Sequence, residues 1–251
     1  MNGQKFKEKI KFCLKAEEKY SRQSILAEIG AKGQEKLARA KVTIVGIGGL
    51  GTNAAELLAR AGAGHLKLID GDVIKQSNLP RQTLFTEKDI NKNKAKTALG
   101  KLAEINSLVK IEAEDTFLDE KNVYLLNDAD LVMDCTDNMK TRFLINKFCL
   151  AKNKPWIYAA CVKTSGYVMP FTQKKPCLNC FIKGNFEPAE SACTLGVLNT
   201  LPAFIAALQA TLTIKIIVSG NVQTALYYCN LWTQEFRKIK IKSNSKCRLC
   251  N

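Results

Sequence analysis

Two cysteine pairs carry the most specific spacing in the chain, Cys177-Leu-Asn-Cys180 and Cys247-Arg-Leu-Cys250. Each pair offers two thiolates, and four thiolates suit a tetrahedral Zn2+. Such a shell has no open position, so the predicted role is structural. Residues 181–246 separate the pairs, too many for a compact zinc ribbon. The site would instead staple the end of the chain to its middle.

A second motif is Gly46-Ile-Gly48-Gly49-Leu-Gly51, after a β-branched run and before a helical stretch. Glycine permits a tight turn and lets backbone N–H groups approach a phosphate at a helix N-terminus. Asp70 ends the next predicted strand, where a carboxylate can hold ribose hydroxyls. Alone, this motif allows NAD as well as ATP.

Polar side chains gather near other strand ends. Asn78, Arg81 and Lys94 follow the second strand, and Asp134-Cys-Thr-Asp137-Asn138 follows the fourth. In an open parallel sheet the carboxyl ends of the strands line the ligand crevice. An aspartate there suits Mg2+, and arginine and lysine suit a triphosphate. Hydride chemistry needs neither. The single histidine, His65, begins a strand and reads as structural. Serine–histidine or cysteine–histidine catalysis is therefore disfavoured. A chain-terminal carboxylate, with a pKa of about 3.5, is a nucleophile that needs no such base.

The elements that must position these groups alternate. Strands are predicted at Val42–Gly46, His65–Asp70, Val109–Glu114, Leu131–Asp134 and Trp156–Cys161. Helices are predicted over residues 1–40, Ala54–Ala61, 92–106 and Thr141–Ala151. This order implies α/β architecture: a Rossmann-like, doubly wound sheet with a parallel N-terminal half. Beyond residue 162 the pattern changes. Gly166–Phe171, 224–231 and 234–242 read as antiparallel strands extending that sheet, the last with one wet face. Between them lies a helix capped by Thr200 and ended by Gly220.

The 251 residues suffice for one large domain, and 46% hydrophobic with 24% charged residues is ordinary for a globular protein. The formal charge of +15 concentrates near the termini, at Lys5 to Lys19 and Arg237 to Arg248. No aromatic or basic recognition motif accompanies it, so no nucleic-acid partner is expected. The longest apolar stretch, Leu201–Val218, contains Gln209 and Lys215 and reads as a core helix, so no membrane partner is expected. With no apolar signal core after Met1, the expected location is cytoplasmic. Ten cysteines then point to metal or thiol chemistry.

Together these features resemble the ThiF/MoeB/HesA family, bacterial relatives of ubiquitin-activating enzymes, from about Tyr20 to Cys250. The resemblance rests on Tyr20-Ser-Arg22-Gln23, the Gly46–Gly51 loop, Asp70-Gly-Asp72, Ser77-Asn78-Leu-Pro80-Arg81-Gln82, Lys94, Asp134-Cys-Thr-Asp137-Asn138 and the CxxC pairs. It implies an adenylation domain over residues 20–251, with residues 1–19 as a basic extension. Gly46, Gly48, Gly49 and Gly51 would contact ATP and Asp70 its ribose. Asn78, Arg81 and Lys94 would hold the phosphates, with Asp72 and Ser77 in the same nucleotide site. Asp137 would bind Mg2+, with Asn138 beside it. Arg22 would reach the ATP of a second subunit, which implies a homodimer.

The implied reaction is ATP-dependent adenylation of the Gly-Gly C-terminus of a ubiquitin-like sulfur-carrier protein, ThiS-like or MoaD-like, for thiamin or molybdopterin synthesis. Sulfur would come from a cysteine desulfurase or another sulfur donor. Cys193 falls where some members carry a cysteine active in sulfur transfer, which leans the expectation towards the ThiF role. Two other readings remain at this point: an NAD-dependent oxidoreductase, and a non-catalytic zinc-bearing interaction protein.

Overall fold

The computed structural model describes residues 17–172, 174–182, 195–220 and 222–250. Its sheet has eight strands: β1 (Lys41–Val45), β2 (His65–Ile69), β3 (Lys110–Glu114), β4 (Leu131–Asp134), β5 (Trp156–Val162), β6 (Ser165–Phe171), β7 (Leu226–Asn230) and β8 (Glu235–Ile239), in the order β3-β2-β1-β4-β5-β6-β7-β8. The first five are parallel and the last three antiparallel. The expected architecture is the one observed. The chain runs outward from β1 through β2 to β3, then returns to β4 on the other side of β1. That reversal makes the β1/β4 junction a topological switch point, where ligands bind in open α/β sheets.

Helices cover both faces. Residues 17–24 (α1), Gly30–Arg39 (α2), Gly49–Ala61 (α3), Lys94–Ile105 (α4), Met139–Lys152 (α5), Leu178–Phe181 (α6) and Thr200–Ser219 (α7) are helical. One core packs α2, α3, α4 and α7 on the sheet through Leu37, Ile44, Leu58, Leu68, Leu102 and Ile205. The other packs α5 on the opposite face through Val132, Ile145, Trp156, Tyr158 and Met169. Each fully buried side chain of this size contributes about 1.5–3 kcal/mol.

α7 is apolar on all sides, and its length and mean hydropathy of 1.8 would let it cross a membrane. Half of that stretch is buried, against α3, β5 and β6. Its start differs from the expectation: Thr200 is the first helical residue, and the capping position is Asn199, without a side-chain cap bond. Gly220 ends it in the left-handed region, φ 74°. β8 also differs. It is a sheet edge largely exposed on both sides, including Ile239 and Phe236, although the Phe236 ring meets Phe204 of α7 at 5.8 Å between centroids. α1 runs across the expected boundary at residue 19. Lys19 donates to Asn106 Oδ1 at 2.8 Å, and the buried Tyr20 hydroxyl accepts from Asn106 Nδ2 at 2.7 Å. Lys5 to Lys15 lie outside the described residues.

Two glycines in helices make opposite demands. A Cβ on Gly51 would run into the carbonyl of Gly46, whereas one on Gly100 meets nothing within 4 Å. Gly100→Ala is expected to stabilise the chain by about 0.5–1 kcal/mol. Gly51→Ala is expected to destabilise it by about 2 kcal/mol or more. Denaturant melts of the two variants check this; equal midpoints would contradict the placement of Gly51.

Candidate active site and metal centre

The turn after β1 is shaped by backbone crowding. Gly46 has φ +89°, and a Cβ there would lie 2.8 Å from the Cys135 carbonyl oxygen and 3.2 Å from the Thr136 nitrogen. The ends of β1 and β4 can touch only because Gly46 has no side chain. Gly48 then caps α3 with no side-chain bond to the first-turn N–H groups. The positive end of that helix opens into the crevice, an arrangement that binds anions.

Asp70 lies at the floor of this turn and is 8% exposed. Its Oδ2 accepts from the Ile47 N–H at 2.6 Å and its Oδ1 from the Asp72 N–H at 2.8 Å. Burial raises its pKa, opposed by those two N–H donors and by the Lys94 charge. The carboxylate therefore fastens the glycine turn to the 70–72 loop, and each oxygen keeps a further lone pair for a hydroxyl.

Lys94 opens α4 and is buried. Its Nζ meets Asp72 Oδ2 at 2.6 Å, and its N–H donates to the Asp72 carbonyl at 3.0 Å. Burial pushes the Asp72 carboxyl up, but the hydrogen bond and charge of Lys94 and the Val73 N–H outweigh it, so the net shift is downward. Asn93 caps the helix by accepting from the Lys96 N–H at 2.9 Å.

Arg81 reaches the glycine turn from the other side. A Cβ on Gly49 would fall 3.3 Å from its Cγ, and its Nη1 donates to the Ser77 carbonyl at 2.8 Å. Asn53 on α3 binds the Gly49 carbonyl at 2.7 Å and the Arg81 carbonyl at 3.4 Å through Nδ2. The Asn78 side chain is engaged in its own turn, accepting from the Lys75 N–H at 3.1 Å.

Asp137 sits on the turn after β4, two residues past the contact with Gly46. It is exposed and forms no ion pair among the described residues. Asn138 follows as the cap of α5, its Oδ1 accepting from the Thr141 N–H at 2.9 Å. That oxygen is thus committed to the helix. An exposed, unpaired carboxylate at the mouth of an anion-binding turn fits a cation that accompanies a polyphosphate.

The structure thus gathers Gly46, Gly48, Gly49, Gly51, Asp70, Asp72, Arg81, Lys94 and Asp137 around the switch point, with Ser77, Asn78 and Asn138 in the connecting turns. Arg22 is not among them. It is exposed on α1, which packs at the far end of α3 through Tyr20 beside Gly62. Thirteen helical residues span about 18 Å from that end to the glycine turn. Cys193 lies outside the described residues.

Asp134 stands in the strand-end motif already singled out, but its buried partners Arg142 and Gln209 escape a motif search. Asp134 and Arg142 form an ion pair beneath the turn, Nε to Oδ2 at 3.4 Å. Gln209 on α7 donates to the carbonyls of Asp134 and Ile157, both at 3.0 Å, tying α7 to β4 and β5. Arg142 and Asn146 lie four apart on the face of α5 that also carries Ile145 and Cys149, so two polar groups in step with apolar ones were the available signal.

The four cysteines converge. Cys177 Sγ lies 4.0 Å from Cys180 Sγ and 3.7 Å from Cys247 Sγ, and Cys180 Sγ lies 3.5 Å from Cys250 Sγ. All four sulfurs fall within 4.8 Å of one another and are buried. A ZnS4 tetrahedron with bonds of about 2.3 Å has edges of about 3.8 Å, so the set fits zinc. Asn146, fully buried on α5, holds this cluster to the body. Its Oδ1 accepts from the Leu178 N–H at 3.1 Å and its Nδ2 donates to Asn179 Oδ1 at 2.9 Å. The nearby Cys149 thiol is no ligand; burial pushes it up to about 12.

Fold and site define a protein with a Rossmann-like sheet, a glycine turn suited to a nucleotide and a separate cluster of four thiols that fits zinc. The chain belongs to the ThiF family, whose profile matches residues 20–249. It is 36% identical over 238 residues to the sulfur carrier protein ThiS adenylyltransferase of Escherichia coli K12, covering 92% of this chain and 94% of that one. It is also 36% identical over 241 residues to an adenylyltransferase and sulfurtransferase of Culex quinquefasciatus, but there the match takes in 93% of this chain and only 55% of the relative. The crystal structure of Escherichia coli MccB with ATP superposes with a TM-score of 0.76 at 26% identity, covering 88% of this chain and 68% of that one.

Metal analysis of the purified chain is expected to find about one zinc per molecule. Cys250→Ser should lower zinc content and lower Tm by about 10 °C or more, since several kcal/mol of binding is linked to folding. A metal-free chain of undiminished Tm would contradict the assignment.

Proposed function

We propose that this chain uses ATP to adenylate the C-terminal carboxylate of a ubiquitin-like sulfur-carrier protein. The observation that carries this reading is the junction of the glycine turn with Arg81, Lys94 and Asp137, on a chain that aligns over 92% of its length with a ThiS adenylyltransferase. Two cations and a free carboxylate suit a triphosphate with its magnesium, and a nicotinamide cofactor has no use for them.

In this reading the phosphates lie over the N-terminus of α3. Arg81 and Lys94 neutralise them, Lys94 by exchanging its bond to Asp72. Asp70 receives the ribose. Asp137 would hold Mg2+, which supplies further neutralisation of the phosphates. The carrier's Gly-Gly carboxylate, already ionised, attacks the α-phosphorus. The bond to the β-phosphate bridging oxygen breaks, giving carrier acyl-adenylate and pyrophosphate. The protein's contribution is positioning and charge neutralisation, without a general base.

Arg22 is too far from its own glycine turn to take part within one chain, which supports a homodimer with Arg22 serving the neighbouring site. Cys193 would act after adenylation, in sulfur transfer from a separate desulfurase or other donor. The zinc cluster would keep the end of the chain fastened to α5. A cytoplasmic location accords with such a biosynthetic role.

With a carrier ending in Gly-Gly, the protein is expected to exchange labelled pyrophosphate into ATP only when the carrier is present. Arg81→Ala and Asp137→Ala should each lower exchange about a hundredfold or more while Tm changes little. No exchange with any ThiS-like or MoaD-like carrier would defeat this reading.

A further inference from the structure

Arg142 is a buried cation that the reaction above does not use. It is 8% exposed, on the first turn of α5 and directly beneath the turn that carries Asp137. Its Nη2 donates to the Thr136 carbonyl at 2.6 Å and to the Ala159 carbonyl of β5 at 3.3 Å. Its Nη1 lies 3.6 Å from the Met139 sulfur, and its guanidinium stands 5.1 Å over the Tyr158 ring. Asp134 completes the arrangement. Its Oδ1 accepts from the Thr136 N–H at 3.0 Å and the Thr136 hydroxyl at 2.6 Å, while its Oδ2 faces Arg142.

Every part of the turn except Asp137 is therefore held. Asp134 grips Thr136 from one side, Arg142 grips its carbonyl from below, and Asn138 is fixed as a helix cap. The ion pair itself is a poor device for stability. Both groups are desolvated, and neither Asp134 Oδ2 nor Arg142 Nε makes a hydrogen bond. Apolar residues of similar volume would hold the fold as well. What an apolar pair could not supply is one planar group that links β4, β5 and the backbone just before Asp137.

We propose that Arg142 is a positioning residue for adenylation: it fixes the 134–138 turn so that the Asp137 carboxylate is presented in register with the phosphates at the glycine turn. The inference rests on the adenylation reading. A misplacement of about 1 Å at such a site costs about a hundredfold in rate. Lysine keeps the charge but cannot reach three groups in one plane.

The test uses the full-length protein and Arg142→Lys, read in two ways. The first is carrier-dependent pyrophosphate exchange at varied Mg2+. The variant is expected to need at least about tenfold more Mg2+ and to lose kcat about ten- to a hundredfold, with the KM for carrier unchanged. The second is Mn2+ uptake with a non-hydrolysable ATP analogue, followed by electron paramagnetic resonance without any carrier. There the variant should bind Mn2+ at least about tenfold more weakly. This arm judges Arg142 even if no carrier supports exchange. Wild-type Mn2+ affinity in the variant would overturn the proposal, as would a wild-type chain that takes up no Mn2+ with the analogue. If Arg142→Lys does not fold, Arg142→Met combined with Asp134→Asn decides, because it removes the Arg142 links without leaving a buried charge unpaired. Mn2+ affinity about threefold weaker or more supports the proposal, and unchanged affinity overturns it.

Discussion

The structure depends on one close approach, where the backbone of β1 meets the backbone that follows β4. Gly46 turns at φ +89° against the carbonyl of Cys135, with no room for a side chain. Because β1 and β4 are neighbours reached from opposite directions along the chain, this contact brings the glycine turn and the Asp137 turn to one edge of the sheet. Any larger residue would force the two backbones apart.

Around that contact the buried polar groups act as ties and the exposed ones face the crevice. Asp70 fastens two loops with its two oxygens, Asn53 fastens Gly49 to Arg81, and Gln209 fastens α7 to β4 and β5. Each is satisfied within the chain, so each rigidifies its surroundings. α5 extends the same scheme. Arg142 holds the Asp137 turn at one end, and Asn146, one turn further, holds the first cysteine pair. The cysteine cluster and the sheet edge that carries Asp137 thus share one helix.

Much of this was legible beforehand. The five parallel strands show by their alternation with helical stretches, β1 as a β-branched run, and the glycine turn and the cysteine pairs stand at spacings that chance seldom produces. The chain order of the strand-end charges also pointed to the crevice. Less legible was what each polar side chain does. Asp70 and Asn138 read as ligand groups, yet both carry backbone hydrogen bonds. Arg142 escaped because a single arginine in a helix looks like a surface charge until β5 is placed beneath it. The exposure of β8 escaped too, since alternation along a strand cannot show how little packs on either side. Thr200 matches a capping residue in type, but the helix begins at Thr200 itself.

The central claim is that the crevice joins AMP to a protein C-terminus. Intact-mass spectrometry of a Gly-Gly carrier incubated with this chain, ATP and Mg2+ tests it most directly. The account predicts a carrier species heavier by one adenylate, discharged by hydroxylamine and absent with Asp137→Ala. A carrier of unchanged mass alongside a folded, nucleotide-bound chain would contradict it.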